Sequence, residues 1–200
     1  MSSYWRVASA IFLKDIKLEL RMRETIPTLL LFSILVTFML SFTFDPSPQA
    51  MALVGPGIVW VAFLFTGILG LNRSLALEND QGTLEALRLA PTGRDAIYLG
   101  KLLGNFVLLM IIEIIMLPLF LVLFDLNLFE IWFLLLTALV TFGLATIGTV
   151  FSGMSLNNRV REAIMPLLII PIVLPLTIGA VTTTGSIIQG ESWPQIGRWI

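Results

Sequence analysis

Two residue types that carry much of protein chemistry are absent from this 200-residue sequence, which has no cysteine and no histidine. Without cysteine there is no disulfide framework, no thiolate nucleophile and no cysteine-ligated metal. Without histidine the sequence lacks the commonest metal ligand, the commonest general base and the usual axial ligand of haem. We therefore expect neither catalytic residues nor a metal site on this chain.

Charged residues are also scarce, at 12% of the sequence, whereas 57% of the residues are hydrophobic and the mean hydropathy is +0.95. A soluble domain of this length has too much surface for its volume to bury so many apolar residues. Lipid is therefore the expected solvent. The net charge of −1 gives no indication of a nucleic-acid partner.

Five long apolar runs dominate the sequence, and each forms a helix about 30 Å long, enough to cross the hydrocarbon core of a bilayer. They are residues 26–44, 52–71, 102–124, 129–151 and 163–181. Among the links, only 72–101 is a substantial loop. The sequence therefore predicts an all-α, polytopic transmembrane helical bundle. We expect the first run to remain as an anchor, because no cleavable signal peptide is visible before it.

Residues 1–24 form a separate unit before the membrane domain, which we assign to residues 25–200. On a helical wheel, residues 4–24 form an amphipathic helix typical of a membrane interface, with a basic stripe opposite an apolar one. The basic stripe contains Arg6, Lys14, Lys17 and Arg21, and the apolar stripe contains Trp5, Phe12, Ile16 and Leu20. Asp15 and Glu19 fall close to the apolar side, which favours packing against protein as well as lipid. The alternative is a solvated lead-in to the first span.

The basic residues lie almost entirely on one side of the predicted spans. Eleven of the twelve precede the first span, lie in the loop 72–101 or lie between the fourth and fifth spans, and only Arg198 falls on the other side. Because basic loops stay in the cytoplasm, the N-terminus, the loop 72–101 and residues 152–162 are predicted to be cytoplasmic. A multi-pass protein of the bacterial inner membrane is expected.

The loop 72–101 contains a short sequence typical of an amphipathic helix. Gly82 interrupts the preceding turn, Thr83 provides a cap, and Pro91 ends the segment. Apolar Leu84, Leu87 and Leu89 alternate with charged Glu85 and Arg88. Such a helix can place its leucines in a groove on a soluble partner and its charges at the rim. An ordinary interfacial loop is the alternative.

Three stretches of the sequence resemble known permeases. The pattern Glu78-x-x-x-Gly82-Thr-Leu-Glu, followed by an apolar turn and a basic entry into the next span, resembles the second cytoplasmic segment of ABC-2 type export permeases. Gly-Pro-Gly-Ile-Val-Trp-Val-Ala at 55–62 and Pro-Ile-Val-Leu-Pro-Leu at 171–176 narrow the resemblance to the haem exporter protein B (CcmB) family, the permease of the cytochrome c maturation system.

This resemblance implies a permease homodimer bound to a cytosolic ABC ATPase, together with a haem-handling membrane protein and a periplasmic haem chaperone. ATP is then bound by the ATPase subunit and haem is handled by the complex, for export or for release of the loaded chaperone. The coupling residues implied are Glu78, Gly82, Thr83, Leu84, Glu85, Leu87 and Arg88. The sequence has no Gly-x-x-x-x-Gly-Lys-Ser/Thr loop to bind phosphate, and only methionine and tyrosine remain as haem ligands.

The resemblance departs from the family in one respect, since such permeases have six spans and five are visible in this sequence. Trp193 and Trp199 are expected at the outer membrane surface, where a sixth span would begin. Two other functions stay open: an ABC-2 type permease for another cargo, and a membrane enzyme or a scaffold that transports nothing.

Three residues inside the spans are candidates for function. Glu113 lies near the middle of the third span, where an unpaired ionised carboxylate costs at least a few kcal/mol, so we expect it to be protonated or paired. Either a functional acid or a packing contact fits that position. Pro171 and Pro175 each remove a backbone donor and are expected to bend the fifth span. Glycines at positions 67, 70, 143 and 148 are expected to allow close helix packing.

Overall fold

The computed structural model describes residues 2–44, 47–80, 93–126, 128–153 and 158–190, and these residues are almost entirely helical. The helices are α1 (Ser2–Met22), α2 (Thr25–Thr43), α3 (Pro48–Asp80), α4 (Arg94–Phe124), α5 (Ile131–Gly153) and α6 (Asn158–Ile188). The predicted all-α class is confirmed.

The five helices α2–α6 are long and apolar enough to cross a membrane, as predicted, but α3, α4 and α6 extend beyond the boundaries predicted from the sequence. The third span begins with α4 at Arg94 rather than at residue 102, and the fifth continues to Ile188 rather than ending at residue 181. The hydropathy of the sequence falls where charged or hydroxyl side chains begin. A helix can continue past that point because its backbone N–H and C=O groups remain hydrogen-bonded to each other. The ends of the predicted loop 72–101 are therefore helical.

The N-terminal helix predicted over residues 4–24 is present as α1 and ends at Met22. Arg23 has a left-handed backbone (φ 52°), and α2 starts two residues later. This residue breaks the helical path, so that α1 and α2 are separate helices. The division into an interfacial unit, 1–24, and a membrane domain, 25–200, stays a prediction.

Aromatic side chains of α3, α4 and α5 fill the centre of the bundle. Trp60, Phe120 and Phe133 are at most 2% exposed. Phe63 contacts Trp60 edge-on with a ring separation of 5.8 Å, and Phe120 at 5.7 Å. Edge-to-face contacts of this kind add to the packing energy beyond simple burial of area.

Glycines allow the neighbouring helices to approach closely, as predicted. A Cβ at Gly67 would overlap Leu144 of α5, and one at Gly148 would overlap Leu71 of α3. At each of these glycines, a leucine side chain of the facing helix therefore packs against the backbone. Such contacts are typical of helices in membranes, where van der Waals packing rather than the hydrophobic effect drives association.

The outer surface of the bundle is apolar. Phe42 is 85% exposed, Val122 81%, Leu53 78% and Ile131 62%, and these side chains lie on four different helices. A monomeric soluble protein rarely exposes so much apolar surface. Lipid contact explains it.

Candidate functional site

The predicted coupling segment lies only partly within the described residues. Glu78 belongs to the end of α3, whereas Gly82, Thr83, Leu84, Glu85, Leu87 and Arg88 fall outside the described residues. The two helices that hold the segment are described: α3 runs to Asp80, and α4 starts at Arg94 after an extended Gly93. The role of the segment in docking stays a prediction.

A polar contact joins α2 and α3 close to this segment. Arg73 Nε donates to Thr25 Oγ1 at 2.9 Å, and its Nη2 lies 3.4 Å from Glu24 Oε2. Thr25 is buried, whereas Glu24 is largely exposed, so solvent weakens the ion pair. The guanidinium of Arg73 is therefore positioned mainly by the threonine hydroxyl. We call this end of the bundle, where α1, Arg73 and the start of α4 lie, the basic end.

A chain of hydrogen bonds links three helices at the same end. Ser74 Oγ of α3 donates to Asn105 Oδ1 of α4 at 3.0 Å, and Asn105 Nδ2 donates to Thr149 Oγ1 of α5 at 3.1 Å. One amide side chain thus bridges both neighbouring helices. Each such bond between membrane helices contributes only about 0.6 kcal/mol on average, but it requires one register of the helices.

Helix α1 packs against the first turns of α4. A Cβ at Gly100 would lie 2.7 Å from the Ala8 carbonyl oxygen and 2.8 Å from Ile11 Cβ, and Gly104 faces Asp15. Asp15 and Glu19 line a small cavity with Ser74 and Asn105. The expectation that α1 packs against protein is therefore confirmed, and Asp15 and Glu19 lie on the side that faces α4. Its packing against lipid stays a prediction.

Glu113 lies in the interior of the bundle, 4% exposed, and is paired with a hydroxyl group rather than with a basic residue. Both carboxyl oxygens are within hydrogen-bond distance of Thr141 Oγ1, at 2.9 Å and 2.7 Å. The glutamate thus joins α4 to α5 within one chain. Thr141 was not found by the sequence argument, although Thr137, Thr141 and Thr149 are spaced by four and eight residues and share one face of α5.

Three helices besides its own surround the Glu113 carboxyl. The small cavity beside it is lined by Trp60, Phe63 and Leu64 of α3, Val140, Thr141 and Leu144 of α5, and Val173 and Thr177 of α6. None of these side chains is charged. Because an ionised carboxylate would have no cationic partner among them, a protonated carboxyl fits these surroundings. Among the described residues no three His, Cys, Asp or Glu side chains are grouped so that they could hold a metal ion.

The tryptophan of the Gly-Pro-Gly-Ile-Val-Trp stretch links α3 to α6 inside the bundle, in the half away from the basic end. Trp60 Nε1 donates to Thr184 Oγ1 at 2.8 Å, and both residues are buried. Nearby on α3, Thr66 forms a hydrogen bond with Ser33 of α2. α3 therefore has polar contacts with α2, α4 and α6, which places it at the centre of the bundle.

Pro171 and Pro175 lie on the outward surface of α6. Thr177 of the same helix faces the cavity beside Glu113. The two prolines therefore do not line the interior. A role for them as intramembrane functional residues stays a prediction that concerns the outer surface of α6.

Residues 6–195 match the family model described as CcmB protein. Heme exporter protein B of Haemophilus influenzae is 30% identical over 175 residues, which cover 85% of this chain and 79% of that protein. The protein of that name from Rhodobacter capsulatus is 26% identical over 84% of this chain and 78% of its own length. The one from Pseudomonas aeruginosa is 26% identical over 86% and 78%, respectively. The family model covers nearly the whole chain, and this chain therefore belongs to the CcmB protein family.

Proposed function

We propose that this chain is the membrane permease subunit of an ABC transporter complex that serves cytochrome c maturation. A cytosolic ATPase subunit supplies the energy, and the complex uses it for haem export or for release of a haem-loaded periplasmic chaperone. The relatives named heme exporter protein B support the transport of haem. The chain itself is not an enzyme.

The observation that carries this proposal is the arrangement of the two helices on either side of residues 81–92. The apolar residues of α3 end at Leu77, and the helix continues through the polar Glu78, Asn79 and Asp80. Three further residues extend a helix by about 4.5 Å. α3 therefore carries the start of the coupling segment away from the apolar part of the bundle and towards a soluble partner.

Contacts at the basic end make these helices suitable for transmitting a movement. Ser74 and Asn105 join α3 to α4, and Thr149 adds α5. Arg73 joins α3 to α2 through Thr25. A displacement of the coupling segment would therefore move four helix ends together. Transmission of a movement requires an element with two arrangements, and events at both ends of the bundle must shift the balance between them. The polar contacts at the basic end are the candidates for that element.

The proposed orientation places the basic end in the cytoplasm. The exposed Arg6, Lys17, Arg21 and Arg94 all lie at this end, and basic residues are retained on the cytoplasmic side of the inner membrane. The opposite end, with the start of α3 and the end of α4, then faces the periplasm. That side is where the haem-handling membrane protein and the chaperone are proposed to bind.

Haem is proposed to be ligated by other subunits. The chain has no histidine or cysteine, and the cavity beside Glu113 is small and lined mainly by apolar side chains. We propose that two copies of the permease assemble with the ATPase. The chain then acts as a mechanical link between ATP hydrolysis and an event on the periplasmic side.

Purification of the native complex tests this function. An affinity-tagged chain is extracted in mild detergent and its partners are identified by mass spectrometry. We expect an ABC ATPase together with haem-handling proteins of cytochrome c maturation. Recovery of the ATPase with drug or polysaccharide export proteins instead would favour an ABC-2 permease for another cargo. Recovery of no ATPase would favour a scaffold. The positive control is a tagged ABC ATPase of another transporter, which should recover its own permease from the same membranes.

A further inference from the structure

The charged residues of α1 are separated by the fold. Asp15 and Glu19 turn towards α4 and line the cavity with Ser74 and Asn105. The exposed charged residues on the outer side of α1 are basic: Arg6, Lys17 and Arg21. Lys14, whose Nζ lies 2.6 Å from Asp15 Oδ1, is the one basic residue of this helix with an ion pair among the described residues.

An exposed apolar strip lies directly beside these basic residues. Trp5 is 60% exposed, Leu13 51% and Leu20 63%. At 100° per residue, Leu20 and Leu13 are followed around the helix by Arg6 and Lys17. α1 therefore has three adjacent surfaces: one packed on α4, one apolar and exposed, and one basic and exposed.

The position of α1 on α4 corresponds to the boundary between water and lipid. α1 contacts α4 at Gly100 and Gly104. The residues before this contact include the charged Arg94 and Asp95, and the residues after it are predominantly apolar as far as Phe124. A helix at this level has its apolar strip beside acyl chains and its basic strip beside headgroups.

We propose that the outer surface of α1 is a binding site for anionic phospholipids. Headgroup phosphates accept hydrogen bonds from Arg6 near the start of α1 and from Lys17 and Arg21, one turn apart, near its end. The acyl chains pack against Trp5, Leu13 and Leu20. An acidic surface of a soluble protein would match the three bases but would leave the neighbouring apolar strip without a partner. The adjacent strips match both parts of a phospholipid.

The absence of cysteine allows a local measurement of lipid composition. Leu13→Cys is introduced in the full chain, labelled with a fluorophore, and reconstituted in a mixture of phosphatidylcholine and phosphatidylglycerol. Quenching by spin-labelled phosphatidylglycerol is compared with quenching by spin-labelled phosphatidylcholine. Phe42→Cys, 85% exposed on α2 and remote from α1, is the matched control position. The orientation of each variant in the vesicles is verified separately. For this, Gln49→Cys replaces the labelled cysteine, and its reaction with a membrane-impermeant thiol reagent is measured.

We expect phosphatidylglycerol to be enriched at position 13 relative to position 42. One basic side chain near an anionic surface strengthens the attraction about fivefold. The triple variant Arg6→Gln, Lys17→Gln, Arg21→Gln should therefore reduce the enrichment at position 13 by about fivefold or more. The charge-retaining variant Arg6→Lys, Arg21→Lys should preserve it.

Equal quenching by the two lipids at position 13 would overturn the proposal. So would an enrichment that survives in the triple variant, because the three bases would then not cause it. If the triple variant keeps the lipid enrichment but releases the soluble ATPase, the basic strip is a protein contact and the lipid site is wrong.

Discussion

Glu113 of α4 and Thr141 of α5 are joined inside the bundle by hydrogen-bond distances of 2.9 Å and 2.7 Å between the threonine hydroxyl and the two carboxyl oxygens. The glutamate is paired within its own chain, in a cavity lined by no charged side chain other than its own. An acid in this position can hold two helices in register without being ionised. This contact favours the packing role for Glu113 over a role in proton transfer.

Glu113→Gln should therefore preserve both assembly and cytochrome c formation. An amide keeps the shape of the protonated acid and still pairs with Thr141, but it does not titrate. Complex recovery and cytochrome c content measure the two properties. An assembled complex without cytochrome c formation would show that the proton on the carboxyl is required for function.

Thr141→Val should weaken the contact between α4 and α5 by about 0.6 kcal/mol, the average for a hydrogen bond between membrane helices. Thermal unfolding in detergent measures the loss. Thr146→Val is the matched control, because Thr146 Oγ1 donates to the Phe142 carbonyl of its own helix. Equal effects of both changes would mean that the Glu113 contact adds no stability.

Gly100→Val should displace α1 from α4. A Cβ at position 100 would lie 2.7 Å from the Ala8 carbonyl oxygen, and backbone cannot move aside as a flexible side chain can. Overpacking of this kind costs about 1–3 kcal/mol. Ile11→Cys, at a position 6% exposed, should then become reactive to a thiol reagent. Gly57→Ala, whose Cβ meets no atom within 4 Å, is the control that should leave the thiol introduced at position 11 protected.

Leu84→Asp or Leu87→Asp should detach the ATPase, because burial of one leucine side chain contributes about 1.5–3 kcal/mol and a charge in the groove removes it. Glu85→Lys should reduce binding less, since an exposed charge at the rim contributes little, but it should leave ATP hydrolysis without cytochrome c formation. Pull-down, hydrolysis and cytochrome c assays separate these results. If both aspartate variants insert, retain the ATPase and support cytochrome c formation, the segment is not the docking element.

Asn105→Leu should leave the ATPase bound but reduce the coupling of its hydrolysis to cytochrome c formation. The change removes both hydrogen bonds that join α4 to Ser74 and Thr149. Ser9→Ala, which removes a hydroxyl that donates to the Arg6 carbonyl of its own helix, is the control. Normal cytochrome c formation per ATP hydrolysed in the Asn105 variant would exclude this polar chain from the coupling path.

The five spans and the amphipathic character of α1 could be predicted from the sequence because both depend on residue composition and helical period. An apolar run of about 20 residues is stable across a bilayer whichever helices surround it. The close approach at Gly67 and Gly148 could be predicted as well, since only small residues allow two backbones to meet. The motif at 78–91 could be assigned to coupling by resemblance alone.

The partner of each polar side chain was decided by the tertiary structure. A helical period tells which residues share a face, but not which helix packs against that face. The sequence therefore indicated that Glu113 is protonated or paired, whereas only the packing of α4 on α5 provides Thr141 as its partner. The packing of α1 on α4 turns Asp15 and Glu19 inward, and the packing of α6 on the bundle leaves Pro171 outside. The amino-acid composition of each span determines that it lies in lipid, whereas the register between neighbouring helices determines which side chains contact each other.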